Sequence, residues 1–231
     1  MRFEHAPAAH YGDFASGDVL YSAPGHPGFP VRLTLELFER ARLLTGRSRV
    51  GVWDPMCGAG GIVTTLGLAR GEAITQILAT DISGDATTLA AKNLELLTDE
   101  GLRRRARLLA KRSDARAEVV ERLRERRRGA SPITTHVSVL DVTRTIDVGL
   151  LPLGGIDIVI ADLPYGGQTA WSSGAQHPPL QMLQHLRAHL SRHSVIVLCS
   201  NRRMDFAELP GSLRTFKHGK RIIKFYRGDA S

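Results

Sequence analysis

The sequence predicts an α/β fold: a mostly parallel sheet with helices packed on both faces. Three observations predict it. Short apolar runs rich in β-branched residues recur along the chain, segments of helical spacing separate them, and one run leads straight into a glycine-rich turn and a further helix.

The strand-like runs are Val50-Gly51-Val52-Trp53, Gln76-Ile77-Leu78-Ala79, Val137-Ser138-Val139-Leu140, Ile156-Asp157-Ile158-Val159-Ile160 and Val195-Ile196-Val197-Leu198. Nearly continuous apolar character marks strands buried on both faces, as in a parallel sheet. Helical spacing is seen from Val31 to Leu44 (Leu33, Leu35, Leu37, Phe38, Leu43), from Ala86 to Leu97 (Leu89, Ala90, Leu94, Leu97) and from Leu180 to Leu190 (Leu183, Leu186, Leu190). The last run, Arg221-Ile222-Ile223-Lys224-Phe225-Tyr226, alternates more and is expected to add an antiparallel C-terminal strand.

The 231 residues, 42% of them hydrophobic, suit one domain with a single core. We expect residues 1–231 to form it, with an N-terminal extension over 1–48 and a basic helical insertion over about 99–130. The net charge of +8 and pI near 10.1 favour a polyanionic partner. Cys57 and Cys199 lie in separate motifs without a CxxC pair, so neither a disulfide framework nor a zinc site is expected. No metal is expected elsewhere. The N-terminus lacks the apolar stretch of a signal peptide, and no run reaches the ~20 residues of a membrane span. A cytoplasmic protein, monomeric and away from membranes, is the expectation.

Gly101 to Arg128 holds twelve Lys and Arg against four Asp and Glu, a surplus of eight that equals the charge of the whole chain. It reads either as a solvated helix laced with i,i+4 ion pairs or as an RNA-contacting insertion tracking phosphates. On the second reading Arg103, Arg104, Arg105, Lys111 and Arg112 contact RNA.

Four motifs carry chemistry. In Val52-Trp53-Asp54-Pro55-Met56-Cys57-Gly58-Ala59-Gly60-Gly61-Ile62, Gly58 and Gly60 let the backbone turn sharply and approach a ligand closely. A dinucleotide-binding turn is the competing reading, but Val63 stands where its third glycine would be. Asp54 suits a ligand with a cationic amino-acid end better than a pyrophosphate. That points to S-adenosylmethionine, whose ammonium and sulfonium are both positive. Asp81 and Ile82 follow the next strand, where a carboxylate can accept from ribose hydroxyls. Asp141 ends the third strand and either reaches the adenine amino group or caps a helix. Asp162-Leu163-Pro164-Tyr165 ends the fourth. There the Asp162 carboxylate and Leu163 carbonyl could hold the two hydrogens of a base amine and free its lone pair for attack. Pro164 would fix the backbone, and Tyr165 would stack on a flipped base. Asp162 also borders the cofactor. Trp171, in the Gly/Ser-rich stretch that follows, is either a lid anchor or a stacking platform for RNA.

These motifs resemble those of class I methyltransferases, whose Rossmann-like sheet has seven strands. Asp-Leu-Pro-Tyr resembles the N/D-P-P-Y/F signature of base-amine methyltransferases, with Leu163 in place of the first proline. Tyr21 to Arg32, Leu89 to Leu94 and Asp162 to Gly166 resemble the AviRa family of avilamycin-resistance 23S rRNA methyltransferases. The resemblance implies a guanine-specific enzyme acting on 23S rRNA or the large ribosomal subunit, with orthosomycin resistance as its consequence. Carried over by position, Asp54, Pro55, Cys57, Gly58 and Gly60 would hold the methionine end, Asp81 and Ile82 the ribose side and Asp141 the adenine. Asp162 to Tyr165 would hold the base, and Arg32 would contact RNA. The expected product is guanine methylated at the exocyclic N2. The alternatives are an adenine-amine methyltransferase on DNA or tRNA, a non-catalytic RNA-binding module, and a nicotinamide-dependent oxidoreductase.

Overall fold

The computed structural model describes residues 2–6, 11–15, 19–23, 28–146, 149, 151–164, 171, 177–201, 206 and 209–229. In chain order the elements are α1 (Gly12–Ala15), α2 (Val31–Thr45), β1 (Val50–Asp54), α3 (Gly61–Arg70), β2 (Ile74–Asp81), α4 (Gly84–Leu94), α5 (Asp99–Ala110), α6 (Asp114–Arg126), β3 (Thr134–Val139), β4 (Ile156–Asp162), α7 (Pro178–His189), β5 (Val195–Asn201), β6 (Arg214–His218) and β7 (Arg221–Arg227). The strands form one seven-stranded sheet in the order β3-β2-β1-β4-β5-β7-β6. β1 to β5 are parallel, β7 runs antiparallel to β5, and β6 runs antiparallel to β7.

Alternate side chains of each strand enter opposite faces. Val50, Val52, Ile158, Ile160, Val195 and Val197 join one apolar cluster with α2, α3, α4 and α5. Trp53, Val159, Ala161, Ile196, Leu198 and Tyr226 join a second cluster with Met182, Leu183 and Leu186 of α7. The expected helices on both faces and the antiparallel C-terminal strand are therefore present. No helix among the described residues is long and apolar enough to cross a membrane.

Three details differ from expectation. β3 was expected to be fully buried, but it is the sheet edge, and Val139 is 58% exposed. β6 carries no continuous apolar run and was not anticipated; pairing with β7 creates it. The basic insertion is two helices rather than one. The break falls at Lys111-Arg112-Ser113, where α6 restarts, and Leu102, Ala106 and Leu109 of α5 bury with Val120 and Leu123 of α6.

The N-terminal residues are tied down through α2. Glu36, fully buried, accepts from the backbone N–H groups of Glu4 (3.0 Å), His5 (2.8 Å) and Ala6 (2.8 Å) and from Arg40 (2.7 Å). Burial alone would push its carboxyl up, but these donors hold it below the usual range.

Candidate active site

The chain leaves β1 towards β2 and β3, then returns to β4 on the other side of β1. The helix after β1 covers one face of the sheet and the helix after β4 the other. A crevice opens outside the carboxyl ends of strands at such a reversal, which is where α/β proteins bind ligands.

Three carboxylates meet at that rim. Asp54 ends β1 and is 1% exposed, its Oδ1 accepting from the N–H of Met56 at 3.2 Å. Asp81 ends β2 and accepts from the N–H of Gly58 at 2.8 Å and of Ser83 at 3.0 Å. Asp162 ends β4. Burial first, and then the negative charges of Asp81 and Asp162, push the Asp54 carboxyl well above its ordinary value.

The turn between β1 and α3 is shaped by its glycines. Gly58 and Gly60 have φ of 52° and 73°, which disfavour a side chain. A Cβ on Gly60 would also lie 3.1 Å from the Cα of Ala90 on α4. The N–H of Cys57 donates to the Thr80 carbonyl at 2.9 Å, so the turn folds against the end of β2. Pro55 is buried beneath it, while Ile82, beyond Asp81, is 44% exposed and offers an apolar surface at the rim.

S-adenosylmethionine fits this arrangement. A buried carboxyl hemmed in by two others is a poor place for an anion and a good one for a cation. The glycine turn leaves the backbone open to close approach, and Asp81 keeps unused lone pairs for hydroxyl donors.

The other expected residues are placed as follows. Asp141 lies just after β3, where its Oδ1 accepts from the N–H (3.0 Å) and hydroxyl (2.5 Å) of Thr143 and its Oδ2 faces Arg144 at 3.3 Å. Asp141 caps a turn here, where the sequence offered a helix cap as the alternative to an adenine contact. Leu163 is 1% exposed, and its N–H donates to the Cys199 carbonyl at 2.8 Å, extending the β4–β5 ladder to the start of the Leu-Pro step. Pro164 is half-buried, and Tyr165 lies outside the described residues. Cys57 and Cys199 are buried, and burial, followed by neighbouring aspartates, pushes both thiols up. Neither is set up as a thiolate nucleophile.

The expected RNA contacts divide. Trp171 packs, half-buried, against the second apolar cluster, the packing alternative for that residue. The Arg32 Nε donates to the Ala6 carbonyl at 2.7 Å, and the guanidinium sits 4.0 Å from the Phe3 ring centroid. Arg103 pairs with Asp99 at 2.7 Å, and Arg104 pairs with Glu95. The Arg105 Nε donates to the Val19 carbonyl at 2.9 Å and its guanidinium lies 4.2 Å from the Tyr21 ring centroid. Lys111 and Arg112 are exposed at the tip of the α5–α6 hairpin.

Two residues that sequence reasoning missed are brought to the rim. Asn93, fully buried on α4, accepts from the Tyr21 N–H at 2.7 Å and donates to the carbonyls of Tyr21 (2.9 Å) and Ala59 (2.8 Å). It clamps the N-terminal segment to the glycine turn. An asparagine inside an apolar helical face was the available signal, since such residues are disfavoured there without a partner. Arg221 begins β7, and because β7 runs backwards its first residue reaches the carboxyl edge. Its Nη2 is 3.9 Å from Asp162 Oδ2.

A family model described as rRNA methyltransferase AviRa matches residues 1–221. The chain belongs to the AviRa family. Within known relatives, it is 37% identical over 230 residues to the 23S rRNA (guanine(2535)-N(1))-methyltransferase of Streptomyces viridochromogenes, covering 93% of this chain and 91% of that protein. Two solved structures of the AviRa rRNA methyltransferase from Streptomyces viridochromogenes, at 1.5 and 2.4 Å, superpose with a TM-score of 0.89 each. They are 33% and 34% identical, and in each case the match covers 99% of this chain and 97% of the other. AviRa membership makes the chain an rRNA methyltransferase and accounts for the segments around Tyr21, Ala90 and Asn93 that carry the resemblance: they form the clamp beside the glycine turn.

Proposed function

We propose that this protein transfers a methyl group from S-adenosylmethionine to N1 of a guanine in 23S rRNA, residues 1–231 acting as one catalytic domain. The observation that carries the reading is the meeting of Asp54, Asp81 and Asp162 at one rim of the sheet. It provides a cation-favouring cofactor pocket beside a carboxylate that can face the base. The relative's activity on guanine N1 supports the ring nitrogen over the exocyclic N2.

In this reading Asp54, Pro55, Cys57, Gly58 and Gly60 surround the methionine end. Asp81 receives the ribose hydroxyls and Ile82 lies against the adenosine. Asp141 shapes the turn beside the adenine. The cofactor supplies an electrophilic methyl group. Asp162 accepts the guanine N1 proton, while the Leu163 carbonyl, oriented by Pro164, holds the neighbouring N2 amine, and Tyr165 stacks on the base. The protein's remaining contribution is to align nitrogen and methyl group in a near-attack geometry.

The N2 product remains the second reading, because the same carboxylate and carbonyl could hold both amine hydrogens. Incubation with labelled S-adenosylmethionine and 23S rRNA, followed by nucleoside mass spectrometry, is expected to yield 1-methylguanosine. Exclusive 2-methylguanosine, or label in tRNA or DNA alone, would overturn the proposal. Expression in a sensitive bacterium is expected to raise orthosomycin resistance together with that modification.

A further inference from the structure

We propose that Arg221 is a catalytic residue that hydrogen-bonds guanine O6 while Asp162 takes the N1 proton. The inference rests on the N1 reading above and names the group that makes N1 chemistry possible.

Guanine N1 carries a proton and sits beside the C6 carbonyl, so it has no free lone pair. When Asp162 removes the proton, negative charge spreads from N1 onto O6. N1 then forms a bond to the methyl carbon as the carbon–sulfur bond breaks, its electron pair passing to sulfur. The proton ends on Asp162, and the base ends neutral. Charge develops on O6 before it is quenched, so a fixed cation there lowers the barrier. Transfer to N2 differs: positive charge builds on the amine, and an adjacent guanidinium would oppose it. The two sites therefore demand opposite electrostatics.

The rim meets the N1 demand. The Arg221 Nη2 to Asp162 Oδ2 separation of 3.9 Å is too long for a hydrogen bond. It leaves the two groups side by side, facing the neighbouring N1 and exocyclic O6 positions along one edge of a base. Both side chains are about a quarter exposed, at 24% and 23%, so a base can reach them. The β5–β7 register sets Asn201 opposite Arg221, which fixes the arginine at the end of β5 beside the end of β4. The Phe29 ring centroid lies 5.1 Å from the guanidinium carbon and restrains the side chain from that flank. Cys199, adjacent to both charges on β5, is held protonated by burial and offers no competing anion. Among the described residues, the other charged or titratable groups at this rim are Asp54, Asp81, His218 and Arg32, the last two bearing on the same end of β7.

The test uses the full protein and a short 23S rRNA fragment, with guanine or inosine at the target. Inosine keeps N1–H and O6 but lacks N2, so its methylation by wild-type protein tests the N1 reading independently of Arg221. With that reading in hand, R221Q is expected to lower kcat about 10²-fold on either substrate, with the calorimetric Kd for S-adenosylmethionine unchanged. Its kcat should climb about tenfold per unit over about pH 7 to 9, because the N1 proton now has to leave without help from a cation at O6. Wild-type activity should be flatter over that range. R221K, which keeps the charge but loses the planar fork, should recover part of the rate and part of the flatness. The proposal is overturned if R221Q works within about twofold of wild type, or if its loss is the same at every pH and R221K restores nothing. Failure of wild-type protein on inosine, with 2-methylguanosine as the product from guanine, overturns the N1 reading itself. Should R221Q fail to fold, R221K decides: a pH slope no different from wild type at undiminished rate counts against the role.

Discussion

Two regions of this molecule place arginine side chains differently, one dense in them and the other holding single ones. In the α5–α6 hairpin most of the charge is spent on the protein itself. Arg103 and Arg124 pair with Asp99, Arg104 with Glu95, Arg122 and Arg126 with Asp13, and Arg128 with Glu125. Arg127 is drawn inward to the carbonyls of Gly67 and Leu97, and Arg105 grips the Val19 carbonyl. At the rim beside β4, among the described residues, Arg221 stands within 4 Å of the Asp162 carboxylate and Arg32 lies on the Phe3 ring. Charge density along a sequence therefore says little about where a polyanion docks, because paired guanidinium groups project a much weaker field.

The comparison can be broken or sharpened by substitution. The largest effect should come from Asp162→Ala at the rim. A positioned base contributes about 10²–10⁴-fold, so methyl transfer should fall by about 10³ while RNA binding by filter retention is kept. Wild-type turnover in this variant would remove the rim from the chemistry.

Next comes the buried carboxyl beside it. In the free protein the pKa of Asp54 is raised, so below that value it is protonated. A bound cation favours the ionised form, so cofactor binding should expel a proton, and affinity should strengthen as pH rises through the raised pKa. Calorimetry in buffers of different ionisation enthalpy should detect that proton, and Asp54→Asn should abolish its release. Folding has the opposite sign. A raised folded-state pKa gives stability that is present at low pH and lost as pH rises through it, so Asp54→Asn should stabilise the cofactor-free protein most at neutral pH and above. Equal melting temperatures of the two proteins at all pH values would contradict this.

Asn93→Asp changes little in shape but replaces two donors by a carboxylate facing the carbonyls of Tyr21 and Ala59. Leaving such buried groups unpaired should cost about 1–3 kcal/mol in denaturant unfolding and weaken cofactor binding through the glycine turn. Smaller still should be the effect of neutralising the hairpin tip. Arg107, Lys111 and Arg112 are exposed, and a triple Gln variant should raise the KM for RNA several-fold and reduce its salt dependence, with kcat kept. Arg103→Gln with Arg104→Gln should change neither KM nor kcat by more than about twofold, since surface pairs contribute little. An effect of the paired arginines larger than that of the tip would invert the comparison.

Much was legible in the chain itself. β-branched runs of four or five residues cannot bury both faces except inside a sheet covered by helices, and those runs mark β1, β2, β4 and β5. The aspartates closing β1, β2 and β4, and the glycines after β1, follow from strand ends and turns, which are local. What stayed hidden was whatever depends on a partner distant in sequence. β6 has no apolar signature because β7 makes it a strand. Trp171 reads as a loop residue until the second cluster receives it.

By itself, then, the sequence determined the alternation of elements and the set of carboxylates, because backbone sterics and apolar periodicity act over a few residues. Only the tertiary structure decided which charges meet. Asp162 and Arg221 are 59 residues apart in the chain. They become neighbours because β7 enters the sheet in reverse and delivers its first residue, rather than its last, to the carboxyl edge. Strand direction is set by the packing of the whole sheet, and no short stretch of residues encodes it.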